Sequence, residues 1–109
     1  MTPAELLVMR MACGGSNTWL AEKCMVDLRT AKRWQSPKRW QEVPDSAAEL
    51  VAAELAMIAE MADYACAVIG DHPADRRVVW IDRDEPRTVA VAWRVLERFP
   101  DCGIQFREE

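Results

Sequence analysis

Three cations, Arg29, Lys32 and Arg33, stand close enough in sequence to share one side of a helix. Two guanidinium groups beside an ammonium can hold phosphate, and each guanidinium can make paired hydrogen bonds to a flat polar edge. Leu28 falls on the same side and offers an apolar contact. No comparable grouping suits catalysis. The single histidine, His72, sits next to Pro73 with no Cys or Ser pattern nearby, so it reads as a surface residue rather than a base. Cys13, Cys24, Cys66 and Cys102 lack the spacing of metal ligands and read as reduced core thiols. Gly14-Gly15 is followed by neither the lysine nor the spacing of a phosphate loop. Asp82, Asp84 and Glu85 form an acidic group that charge at a helix N-terminus explains. The expectation is a protein without catalytic residues, metal or cofactor.

The cations need an element to carry them, and the run from Ser16 to Ser36 supplies two. Ser16 is a good N-cap before an apolar stripe of Leu20, Ala21 and Cys24. Met25-Val26-Asp27 breaks that stripe, and Asp27 can cap a second helix, where its charge also suits the helix dipole. Ala31 and Trp34 then face inward against Leu20 and Val26, leaving Leu28, Arg29, Lys32 and Arg33 outward. The small residues Ala21 and Ala31 let two short helices cross closely. This is the outline of a helix-turn-helix, which lays its second helix in the DNA major groove.

The run resembles the Cro and phage-repressor (XRE-like) helix-turn-helix regulators. Their pattern reads Ser-Gln-x-x-Leu-Ala-x-x-Leu-Gly-Val-Ser-x-x-Thr-Val-x-x-Trp-Glu, and Ser16, Leu20, Ala21, Val26, Thr30 and Trp34 fall on it without a gap. Asn17, Cys24, Met25, Asp27 and Gln35 depart from it, replacing Gln, Leu, Gly, Ser and Glu. Met25 stands where the turn favours glycine, and Gln35 stands where an acid often pairs with an arginine of the first helix, here Arg10. The resemblance implies a lambda-repressor-like domain in a homodimeric transcriptional repressor that binds a palindromic double-stranded DNA site. On that reading Leu28, Arg29, Lys32 and Arg33 contact bases: the arginines read guanine edges, Leu28 a thymine methyl, and Lys32 a base or a phosphate. Phosphate contacts fall to Ser16, Asn17, Asp27 and Thr30 around the helix starts, and to Lys38, Arg39 and Trp40 in the loop that follows. That loop also fits a solvated charged segment, with Trp40 folded back into the domain.

Charge and patterning extend the reading along the chain. The formal charge of −4 argues against nucleic acid when taken alone, but it is unevenly distributed. Residues 1–42 hold seven Lys or Arg against four acids, whereas residues 43–109 hold seven against fourteen. A basic head and an acidic body would orient the head toward phosphate. Thr2-Pro3-Ala4-Glu5 forms a capping box before Leu6, Met9, Met11 and Cys13, and Gly14-Gly15 closes that helix. It starts too near Met1 for a signal peptide, and no stretch has the length of a membrane span, so a cytoplasmic protein is expected.

The prolines of Ser36–Asp45 mark a loop, and a long helix is expected over 45–69 with Gly70 as its stop. Val51, Leu55, Ile58, Ala62, Ala65 and Ile69 form one stripe on it; Leu50, Met57, Met61, Tyr64 and Val68 form a second, interrupted at Glu54. Two stripes exceed what one packing partner needs, so one should serve a second subunit or the C-terminal segment. After a linker at 71–75, residues 76–82 read as a strand, 86–99 as a helix with Val89, Trp93 and Leu96 on one face, and Ile104 with Phe106 as another strand. The expected class is mainly α, α+β overall. Residues 1–70 form the helix-turn-helix domain with the long helix, and 71–109 a strand-helix-strand element for dimerisation or interaction. That layout is loosely similar to small regulators of anti-CRISPR operons. Two other readings stay open: an antitoxin-like or adaptor module that docks a protein partner through its C-terminal part, and a helical hairpin with no DNA role.

Overall fold

The computed structural model describes residues 1–37 and 42–107. Among them the chain is mainly helical and ends in a strand-helix-strand element. Its elements are α1 (Pro3–Ala12), α2 (Asn17–Cys24), α3 (Leu28–Arg33), α4 (Asp45–Gly70), β1 (Val78–Ile81), α5 (Pro86–Arg98) and β2 (Gly103–Phe106). A 3-10 turn at Ala74–Arg76 precedes β1. Two compact units divide inside α4, Met1–Leu55 and Ala56–Glu109. The sequence-based partition at 70/71 instead follows the end of the helix.

The first unit is built from short helices with satisfied ends. Thr2 and Glu5 form the expected capping box, with the Glu5 backbone N–H donating to Thr2 Oγ1 at 3.1 Å and the Thr2 N–H to Glu5 Oε1 at 3.0 Å. One C-terminal arrangement then closes two helices. After α1 the Gly15 N–H donates to Arg10 O and the Gly14 N–H to Met11 O; after α2 the Val26 N–H donates to Ala21 O and the Met25 N–H to Glu22 O. This paired bond requires a left-handed residue. Gly14 supplies it at φ 76° and Met25 at φ 57°. Gly15 has a separate constraint, since a Cβ there would run into the Trp19 ring. The core gathers Leu6, Leu20, Ala21, Ala31 and Trp34 with Val43, Ala47 and Val51, and Val26 packs against it. Met11, by contrast, is 65% exposed.

In the second unit β1 and β2 pair in parallel, Val78 opposite Gly103 and Ile81 opposite Phe106, with α5 as the crossover. The strand is shorter than the expected 76–82, and α5 ends one residue before the expected 99. Ile58, Ala62, Cys66 and Ile69 of α4 are buried, as are Val79, Val91, Ala92, Val95 and Cys102. The first stripe of α4 is therefore the inner one, with Leu55 and Ala65 half-buried. On α5 the inner face differs from the expected one. Val89 and Trp93 are exposed and Leu96 half-buried, while Val91, Ala92 and Val95 are buried. Both sets recur at helical spacing, and the more compact set lies inward. Helix α4 runs through Gly70, and the Arg77 guanidinium closes its end by donating from Nε to the Ile69 and His72 carbonyls.

Candidate nucleic-acid interface

Asp27 starts α3 by accepting the Thr30 N–H on its Oδ1 at 2.7 Å. Hydrogen bonds from the Thr30 side chain and backbone hold the Asp27 carboxyl below its ordinary pKa. Ala31 and Trp34 are buried in the core, which fixes the rotation of the helix. Its outer side then carries Leu28, 42% exposed, with Arg29 and Lys32 also exposed. Arg29, Lys32, Arg33 and Ser36 line a shallow concavity of about 580 Å³. Arg33 is the most constrained of the three cations: it is half-buried and its Nη2 donates to Thr30 Oγ1 at 3.3 Å. Its Nε is buried with no partner among the described residues.

The N-terminus of α2 lies in the same unit. Ser16 Oγ accepts the Trp19 N–H at 3.0 Å, and Ser16 O accepts the Leu20 N–H. The Asn17 and Thr18 amides are left as first-turn donors without an acceptor in the helix. No family model, curated protein or solved structure matches this chain.

A polar network ties these parts together. Arg10 Nε donates to Gln35 Oε1 at 2.7 Å, and its Nη1 donates to Gly15 O at 2.8 Å. Gln35 Nε2 donates to Asn17 Oδ1 at 2.7 Å and to Ala31 O at 3.0 Å. A neutral amide thus links α1, the start of α2 and the end of α3. The sequence pointed to the Arg10 partner but not to Asn17, eighteen residues away, because one side chain serving two partners leaves no local signal. Two consequences follow for binding an anion. Asn17 has its oxygen engaged, so its NH2 group is the end left to donate. The Arg10 guanidinium donates to a neutral amide and a backbone carbonyl rather than to a carboxylate.

The remaining sequence-derived candidates divide as follows. Thr30 is half-buried and its hydroxyl lies between Asp27 and Arg33. A carboxylate only accepts, so Asp27 can offer phosphate nothing but its backbone N–H. Lys38, Arg39 and Trp40 lie outside the described residues. Cys13, Cys66 and Cys102 are buried and Cys24 half-buried, all as free thiols; burial pushes Cys13, Cys24 and Cys102 above the ordinary thiol pKa. Among the described residues no cluster of His, Cys, Asp and Glu could hold a metal ion, and no helix is long and apolar enough to cross a membrane.

Proposed function

We propose that this chain is a sequence-specific double-stranded DNA-binding transcriptional regulator of the Cro and phage-repressor type. It acts as a homodimeric repressor on a palindromic operator. The observation that supports this most is the outer face of α3: an apolar residue and three cations projecting from a helix that Ala31 and Trp34 lock against the α2 core. In this reading α2 and α3 are the helix-turn-helix of a lambda-repressor-like domain, and α3 enters the major groove. Arg29 reads a guanine edge, and Lys32 takes a base or a phosphate. Arg33 reads a second guanine by exchanging its Thr30 contact for the base, which also gives its orphaned Nε an acceptor. The first-turn amides of α2, with Ser16 and the Asn17 NH2 group, hold a phosphate, and Arg10 adds to the local positive potential. No catalytic step or cofactor enters the proposal.

Selection of bound sequences from a random duplex pool tests it. The expected result is a two-fold symmetric site with half-sites about 10 base pairs apart. An unenriched pool contradicts DNA reading, and a lone half-site contradicts the symmetric dimer. A second reading, a module that docks an unlike protein partner, is favoured by the exposed apolar side chains of the second unit. A monomer that shifts no duplex at low salt would support it instead.

A further inference from the structure

The second unit leaves in solvent the stripe of α4 that its own core does not use. Met57, Met61, Tyr64 and Val68 are 42%, 39%, 75% and 42% exposed. They follow one another at intervals of four, three and four residues. That alternation is the period of a seam between two paired helices. At Met61 and Tyr64 the seam opens into an apolar groove of about 400 Å³, completed by Val79 and Trp80 of β1 and flanked by Glu60 and Arg107. Neither Glu60 nor Arg107 has an ion-pair partner among the described residues.

We propose that this face binds a second copy of the chain, the α4 seam of one protomer against that of its partner across a two-fold axis. The inference rests on the dimer of the proposed function and adds the surface that forms it. The charges select the occupant. In a two-fold contact a patch meets itself, so a groove carrying one acid and one base complements its own copy, with Glu60 set against Arg107 of the partner subunit twice over. A groove shaped for an anionic or a cationic partner would carry one sign alone. The exposed aromatics Tyr64 and Trp80 supply the residue types that dominate such contacts.

Sedimentation equilibrium of the full chain from about 1 to 100 µM tests the surface. The wild type is expected to dimerise, and Tyr64→Glu to weaken dimerisation at least about tenfold while keeping its helical circular dichroism. Glu60→Arg and Arg107→Glu should each weaken it, and the double exchange should restore it. Because both charges are exposed, this exchange decides the matter even if Tyr64→Glu fails to fold. A wild type that is monomeric throughout overturns the proposal. So does a folded Tyr64→Glu chain that still dimerises, a double exchange that restores nothing, or a dimer broken instead by Met11→Glu on α1. Binding to a single half-site duplex separates this inference from the DNA reading. A dimer that binds no duplex supports the surface and refutes DNA recognition, whereas a monomer that binds a half-site does the reverse.

Discussion

Helices α1, α2 and α3 of the first unit each begin with a side chain bonded to their own first turn, whereas α5 in the second unit begins at Glu85, which makes no such bond. The contrast follows from length. Helices of ten, eight and six residues are too short to persist by themselves, so their ends must be satisfied locally. Thr2, Ser16 and Asp27 do this at the starts, and the Arg10, Gln35 and Asn17 network links the three helices. The second unit has the part of α4 from residue 56 onward, with apolar residues on two stripes, and an amphipathic α5, and it is held by burial. It has more apolar surface than its core uses. Polar pinning fixes where a cationic face sits, and surplus apolar surface leaves a face to be matched by something else.

The largest effects should come from core truncations. Leu20→Ala removes a fully buried side chain from the first unit and should cost about 2–5 kcal/mol in urea unfolding. In the second unit Val95→Ala should destabilise more than Trp93→Ala, although tryptophan is larger, because Val95 is fully buried and Trp93 is 65% exposed. The opposite order would mean that α5 buries its other face.

The next effect is on the network. Gln35→Ala should cost about 1.5–3 kcal/mol by removing the charge-assisted bond from Arg10, while Gln35→Glu should retain that bond. If Gln35→Ala is neutral, the first unit is not pinned by this contact and the contrast fails.

Caps come third. Asp27→Ala should lower stability at neutral pH. Because the folded state lowers the Asp27 pKa, the contribution is complete above the unfolded carboxylate value and is lost as the pH falls through the lowered one. Wild type and Asp27→Ala should therefore converge in stability on acidification below about pH 4. A gap that persists in acid would assign the loss to something other than the charged cap.

The smallest effect is a gain. Met25→Gly should stabilise by about 0.5–1 kcal/mol, since the left-handed position costs an L-residue more than glycine loses in chain entropy. The Met25 side chain is 92% exposed, so little packing is lost. A destabilised variant would show that this side chain has a role the contrast overlooks.

The same contrast explains what was legible in the sequence. Caps are local, so Thr2, Ser16 and Asp27 could be read from residue type and spacing, as could the inward rotation of Ala31 and Trp34. The left-handed geometry of Met25 could be located but not decided, because strain at one residue is settled by the bonds around it. The inner face of α5 was misjudged for a related reason. Val89, Trp93 and Leu96 fit one helical face and Val91, Ala92 and Val95 fit another, and only packing within the unit chooses between them. The dual role of Gln35 was half visible, through Arg10 alone.

The proposed base reading by the outer face of α3 has a direct test. Titration of wild type and Arg29→Ala against a selected duplex and a scrambled one, each over a range of salt, tests it most directly. Arg29→Ala is expected to lose about 1–3 kcal/mol on the selected duplex and much less on the scrambled one, with relaxed preference at one base pair. Equal losses on both duplexes would contradict it.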